Sequence, residues 1–477
     1  MSNVVYWFRN DLRLHDNEAL VRATNLGNVT PVYVIDNRSF AQTSIGHKRT
    51  GKFRAKFLLE TIADLKQNLQ KIGSDLVIRI GHPEEIIAEI AHQINASHVV
   101  LSKEATQEET SVEAELSQLL KQHNIDIELI WTNTLYHPRD LPFQMHFLPD
   151  VFSTFRKKVE SRSEVRATFP TVENLGKMAS VESKTIPTLA EIGFESFEVD
   201  ERAVLDFKGG ETAGLQRLHY YLWESDLLKT YKETRNGLVG VDYSSKFSAW
   251  LSLGCLSPRH IYEEIKRYES ERTANQSTYW LIFELIWRDF YHFIALKYGV
   301  RLFKRSGIKH DMVKEWNQDQ RGFNKWVNGE TGVPFIDANM REFKETGFMS
   351  NRGRQNVASF LTKDLGIEWW WGAMYFESLL VDYDVCSNWG NWNYVSGIGN
   401  DPREDRYFNI TKQATNYDPE AEYMKLWLPE LKDVPADKIN EVGLLSQAEQ
   451  KQYGVQIGVD YPNPYVDVKK WRKSAKW

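Results

Sequence analysis

The run Val4-Val-Tyr-Trp-Phe8, apolar and partly β-branched, opens a series that decides the fold of the first part of the chain. Pro31-Val-Tyr-Val-Ile35, Leu76-Val-Ile-Arg-Ile80, His98-Val-Val-Leu101 and Ile125–Trp131 repeat the pattern. Helical periodicity fills the gaps, most clearly over Phe53–Leu69 and Glu84–Asn95. Strands spaced by helices predict right-handed βαβ units and a doubly wound parallel sheet, an α/β domain over residues 1–131. It contains no GxGxxG or Walker loop, so nothing in it argues for a phosphate cradle of that kind.

Beyond it the text changes twice. Residues 132–200 are irregular, with Pro138, Pro142, Pro149, Pro170 and Pro187, and read as a long connector wrapping the surface. Residues 201–430 read as an all-α domain, with helical patterns at Glu211–Thr230, Pro258–Tyr268, Gln276–Tyr298, Phe335–Thr346, Asn351–Leu365 and Gly372–Leu380. A tail over 431–477 holds Pro462, Pro464 and a basic end from Lys469.

At 477 residues there is room for two or three domains. A net charge of -6 argues against a generally basic nucleic-acid coat protein but leaves room for a local basic groove. The two cysteines, Cys255 and Cys386, match no zinc or CxxC spacing, so no metal is expected. The N-terminus runs straight into a strand pattern, which sets the expectation of a soluble, cytoplasmic, monomeric protein without a membrane span. Of 16 Trp, nine fall between Trp280 and Trp392, so the aromatic excess belongs to one region.

That region carries the chemistry. Asp382-Tyr-Asp-Val-Cys-Ser-Asn-Trp-Gly-Asn-Trp-Asn-Tyr394 sets carboxylates and amides among indoles, a costly mixture unless the polar groups find partners. Trp280, Glu284, Trp287, Arg288 and Tyr291 share one helix face, either the lining of a pocket for flat hydrogen-bonding rings or an amphipathic helix with an i,i+4 Glu284–Arg288 pair. Ser244-Ser-Lys-Phe-Ser248 can bind an anion or simply cap a helix. In Asn351-Arg-Gly-Arg-Gln355, Arg354 can pair with Asp382 or Asp384; the alternative is a solvated helix start capped by Ser350. Trp316, Trp369 and Trp392 are core indoles by default and electron stepping stones otherwise.

These segments resemble the photolyase/cryptochrome family, and within it the DASH cryptochromes. The likeness runs through Trp7-Phe-Arg-Asn-Asp-Leu-Arg-Leu-His-Asp-Asn17, Lys52–Glu60, Leu135–Phe143, Tyr231–Gly237, Asp242–Ser248, Leu256–Arg259, Glu284–Asp289, Ser350–Gln355, Cys386–Trp392 and Asp401–Glu404. It implies non-covalent FAD in the helical domain. Tyr231, Ser244, Ser245, Lys246 and Ser248 would take the phosphate and ribityl side, and Glu284, Trp287 and Arg288 the mouth near adenine and substrate. Asn351 and Arg354 would meet the flavin side, Asp382 and Asp384 would stand behind it, and Asn388 would face N5.

The resemblance further implies light-driven splitting of cyclobutane pyrimidine dimers by electron transfer from excited FADH⁻, with Trp392, Trp369 and Trp316 re-reducing the flavin. A methenyltetrahydrofolate antenna would sit between the domains, with Glu104 as its acidic contact. Tyr394 stands where double-strand photolyases have a second Trp, and Gln355 where they have Met. Those two departures point to dimers in single-stranded or looped DNA, where flipping costs least. Arg235, Asn236, Arg352, Arg403 and Lys412 are the expected DNA contacts, forming a local basic patch. The rival reading is a blue-light receptor or regulator, disfavoured by a tail too short for a large effector segment; a flavin oxidoreductase using NADPH is disfavoured by the missing dinucleotide fingerprint.

Overall fold

The computed structural model describes residues 2–309, 314–403 and 406–473, so Glu404 and the last residues of the basic tail lie outside it. Five parallel strands, β1 (Ser2–Phe8), β2 (Gly27–Ile35), β3 (Val77–Ile80), β4 (Ala96–Ser102) and β5 (Asp126–Ile130), form one sheet in the order β3-β2-β1-β4-β5. All five predicted strands are present within a few residues of their expected bounds. Helices α1 (Glu18–Leu26), α2 (Lys52–Lys71), α3 (Pro83–Gln93) and α4 (Gln107–Lys121) supply the crossovers. The period-2 alternation of β1 feeds two cores. Val4, Tyr6 and Phe8 join the large core continuous with the helical domain, while Val5 and Trp7 pack with Ile87, Ile90, Leu116 and Leu120 of α3 and α4.

The connector is less loose than its sequence suggests. It contains a helix, α5 (Phe152–Arg162), which the proline-rich text concealed. Farther on it runs along the sheet, where Val29 N–H donates to the Leu175 carbonyl (2.8 Å) and Lys184 N–H to that of Ile78 (2.9 Å).

From residue 211 the chain is helical: α6 (Glu211–His219), α7 (Tyr231–Thr234), α8 (Ser248–Ser252), α9 (Pro258–Glu271), α10 (Gln276–Tyr298), α11 (Gln320–Asn328), α12 (Pro334–Thr346), α13 (Asn351–Ser359), α14 (Trp369–Leu379) and α15 (Val385–Ser396). α10 has the predicted bounds because Asn275 and Thr278 form a reciprocal cap at its start and Gly299, at positive φ, ends it. The helix expected over Glu211–Thr230 is interrupted. After α6 a π-turn spans Tyr220–Glu224, and Asp226 adopts the left-handed conformation before a 3₁₀ turn. The pattern over Asn351–Leu365 likewise passes from α13 into a π-turn at Phe360–Asp364.

The two domains are held by buried charge. Asp289 of α10 accepts the backbone N–H groups of Leu135 and Tyr136, both at 2.8 Å. Arg259 pairs with Asp16 (2.7 Å), and Glu211 accepts from the N–H groups of Leu14 and His15. The segment after residue 431 is docked as well: Trp471 is buried, and the Tyr461 hydroxyl donates to Asp337 (2.6 Å). Among the described residues no helix is long and apolar enough to cross a membrane.

Candidate functional site

The lining begins on α10. Glu284 does not pair with Arg288, four residues on, as an ordinary amphipathic helix would have it; it pairs with Arg235 beyond α7 at 2.5 Å. Arg288 turns to the domain boundary, donating to the carbonyls of Asn133 and Leu251 and lying 3.8 Å from Asp384. Burial raises the Glu284 carboxyl pKa, and the Arg235 guanidinium opposes that rise.

Both sides of the Arg354 alternative resolve. Ser350 caps α13, accepting the Gly353 N–H (3.0 Å), and Arg354 pairs with Asp382 through both carboxylate oxygens (3.0 and 2.8 Å). Asp384 instead caps α15 through the Ser387 N–H (2.7 Å) and faces His292 (3.3 Å). Burial alone would raise its pKa, but His292, Arg288 and the Ser387 N–H outweigh it and hold Asp384 ionised far below the usual carboxylate range. His292, Asp384 and Cys386 bring one donor atom each within 4.8 Å, yet burial pushes the Cys386 thiol far up, so it is not a ready thiolate ligand.

The Ser244–Ser248 loop is shaped by a residue that the sequence reading missed. Arg217 of α6, buried, donates to the carbonyls of Val241 (3.2 Å), Ser244 (3.2 Å) and Ser245 (3.1 Å). Ser248 starts α8, but none of these serines caps that helix by side chain, so the simple capping alternative does not hold. Lys246 is buried in left-handed backbone, donates to the Val241 carbonyl and lies 3.5 Å above the Tyr243 ring. Burial and Arg217 lower its pKa to about 7.

Beside it stands a second missed residue. Glu342 of α12 is fully buried; one carboxyl oxygen accepts from Tyr423 (2.6 Å) and the other has no partner. Burial raises its pKa to about 8, with Tyr423, Lys246 and Arg354 opposing. The Tyr243 hydroxyl and Arg352 Nε are also buried without partners. Buried polar atoms are nearly always satisfied, so the adjoining Tyr243 hydroxyl and Glu342 oxygen leave room for a polar ligand. Such donors and acceptors, among aromatic rings, fit a flavin dinucleotide.

Asn388 is buried on α15, its Nδ2 donating to the Ala373 carbonyl (3.1 Å), which leaves Oδ1 as the free acceptor. Trp392 and Trp369 are buried and Trp316 only half-buried. Trp392 packs against Gly372, one turn along α14 from Trp369, and Asn317, next to Trp316, exchanges backbone hydrogen bonds with Gly366 and Glu368. The rings of Trp369 and Trp392 are not in direct contact: Trp369 meets Trp370 and Trp389, and Trp392 meets Trp326 and Phe376.

At the mouth, Tyr394 meets Trp287 edge-on, ring centroids 6.0 Å apart. A third missed residue, Arg406, donates to the Tyr394 hydroxyl (3.1 Å) and pairs with Asp401. Arg352 donates to Gln355 (2.8 Å) and Asn236 (3.1 Å). Tyr231 is buried against Tyr221, whereas Asn351, Arg403 and Lys412 are exposed. Arg235 is committed to Glu284, and nothing ties Lys412 to the mouth. Glu104 is buried at the domain boundary, accepting from Asn10 (3.1 Å) and Asn133 (3.3 Å), and burial raises its pKa to about 7.

A doubly wound sheet fused to a helical domain with this cradle defines a two-domain flavin-binding protein. Residues 4–173 match the DNA photolyase domain, and residues 280–476 match the FAD binding domain of DNA photolyase. The chain belongs to the photolyase/cryptochrome family and, within it, to the DASH cryptochromes. It is 54% identical over 466 residues to the cryptochrome DASH of Synechocystis sp., covering 97% of this chain and 95% of that one. The crystal structure of a Synechocystis cryptochrome superposes with a TM-score of 0.95 at 54% identity, over 99% of this chain and 98% of the other. A bacterial class III photolyase from Agrobacterium tumefaciens superposes with a TM-score of 0.85 at 28% identity, over 100% and 96%.

Proposed function

We propose that this protein splits cyclobutane pyrimidine dimers in single-stranded or looped DNA under light. The observation that carries the reading is the mouth. One indole, Trp287, is met edge-on by Tyr394, whose hydroxyl is tied to Arg406, so the dimer faces one flat aromatic wall and one polar edge. Such a cavity offsets less of the cost of extracting a dimer from a duplex than two indoles would, and a strand already single needs less. FAD, when bound and reduced, supplies the photoexcited electron and takes it back.

The residues of the chain divide the rest of the work. Arg217 holds the Ser244–Lys246 backbone in the shape that Tyr231, Ser244, Ser245, Lys246 and Ser248 need to bind the phosphate and ribityl side. Arg354, fixed by Asp382, and the ionised Asp384 set the charge along the isoalloxazine edge, with Asn351 at the flavin side. Asn388 presents Oδ1, an acceptor suited to a protonated N5. Trp316, half-buried, passes electrons inward through Trp369 to Trp392, both buried. Glu284, held by Arg235, receives the dimer with Trp287, Gln355 and Tyr394, while Arg288 braces the domain boundary; Asn236, Arg352 and Arg403 meet the strand. Glu104, with its raised pKa and two amide neighbours, suits the amino-pterin edge of a methenyltetrahydrofolate antenna.

The test is illumination of the reduced protein with dimer-containing oligonucleotides, single-stranded and duplex. Splitting of the single-stranded substrate at least about tenfold faster is expected. Equal splitting of both overturns the argument from Tyr394, and no splitting of either leaves the light-receptor reading in its place.

A further inference from the structure

α5 has two faces with different fates. Phe152, Phe155 and Val159 are buried, and Phe152 lies flat on Trp287, ring centroids 3.5 Å apart and planes 9° from parallel. The helix start is therefore part of the wall of the mouth. The rest of its surface carries Lys157, opposite that stripe, and Lys158 and Arg162 along its flank, all exposed. Its eleven residues hold four cations against one carboxylate, Glu160, in a chain of net charge -6. Glu160 is taken by Arg156 (3.4 Å) and Tyr279 (2.6 Å), and nearby Asp150 by Lys297 and Tyr298. Among the described residues no carboxylate pairs with Lys157, Lys158 or Arg162.

Aromatic rings border the same face. Lys158 Nζ sits 5.9 Å from the Phe143 ring, which packs on Phe155. Two residues past the Met145–Phe147 turn lies Pro149, and Phe147 itself is 69% exposed, with the ring of exposed His146 against it at 4.0 Å. A large apolar ring held out to water five residues before a helix with unpaired cations suits single strands, bases stacking on the ring while cations track phosphates. At 1.5 Å per residue, Lys157 lies about 8 Å along the axis from Phe152, close to one nucleotide of extended strand.

We propose that the exposed face of α5, with Phe147, is a second binding surface for single-stranded nucleic acid, carrying the strand away from the mouth. The proposal rests on the reading of the mouth given above, but its test does not need repair. The full chain and a Lys157→Ala/Lys158→Ala/Arg162→Ala variant are titrated with a fluorescent, dimer-free oligothymidylate of about 16 nucleotides over a range of salt. Loss of three phosphate contacts lowers the log–log salt slope by about 2. Phe147→Ala weakens binding at least about fivefold with the slope unchanged, because stacking is lost without charge. FAD content and photoreduction stay as in the parent, showing intact folding. An unchanged slope in the triple variant overturns the proposal, as does absence of oligothymidylate binding by the parent. If the parent binds with the expected slope change but splits no dimers, the repair reading alone fails.

Discussion

Two buried polar clusters, one in each domain, invite comparison. In the sheet domain Asp11, Arg13, Asn17 and Tyr6 are almost wholly buried and close on themselves. Tyr6 donates to Asp11, Asp11 also accepts the Arg9 N–H (2.8 Å), and Arg13 reaches the carbonyls of His15, Asp16, Thr132 and Gly254. In the helical domain Tyr243, Lys246 and Glu342 are as deeply placed, yet the Tyr243 hydroxyl and one Glu342 oxygen have no partner. Burial of charge therefore does not distinguish framework from site. Between these two clusters completeness of hydrogen bonding does, because an unmatched buried group costs roughly 1–3 kcal/mol that a ligand can recover.

The comparison can be broken most forcefully at Arg13. Arg13→Ala leaves four buried carbonyls and the linked Asp11 cluster short of donors and should cost about 3–5 kcal/mol in denaturant unfolding. The loss should be the same with and without FAD; a loss confined to the FAD-loaded protein would place that cluster among ligand groups. Glu104 offers the next test, through pH. Its folded pKa, about 7, lies above the usual 4.5, so the folded state binds the extra proton and loses stability as pH climbs from about 4.5 to 7. Glu104→Gln should therefore match the parent near pH 4.5 and exceed it by up to about 3 kcal/mol above pH 7, read from melting curves across that range. A constant difference would mean that Glu104 stays ionised throughout. Tyr243→Phe is the smallest and most discriminating change. Removing an unpaired hydroxyl should leave the FAD-free protein as stable or about 1 kcal/mol more so, while weakening FAD binding about five- to tenfold in a fluorescence titration. Loss of stability without loss of affinity would return Tyr243 to the framework.

What could be read from the sequence follows how local each signal is. The strands, α10 and the Ser350 cap rest on periodicity and on residues a few positions apart, and they stand where the pattern puts them. α5 was hidden because its apolar face is only Phe152, Phe155 and Val159 amid prolines and charges. Arg217 could not be singled out, since its three carbonyl partners lie 24 to 28 residues away and backbone acceptors leave no trace in side-chain identity. Glu342 sits in a helix pattern in which a carboxylate reads as solvent-facing. Arg406 carries no local signal, because its partners Tyr394 and Asp401 are set by the fold of the loop that follows α15. The choice between Asp382 and Asp384 for Arg354 depended on His292, on another helix, which claims Asp384.

The docked C-terminal segment sets an order of assembly during synthesis. Asp337, buried in the first turn of α12, is satisfied by Thr331, by the Gly332 N–H and, from 124 residues downstream, by the Tyr461 hydroxyl. A ribosome that has released α12 through α15 has still not delivered that last donor. The helical half thus completes its interior only when nearly the whole chain has emerged, whereas the sheet can close as soon as β5 is free.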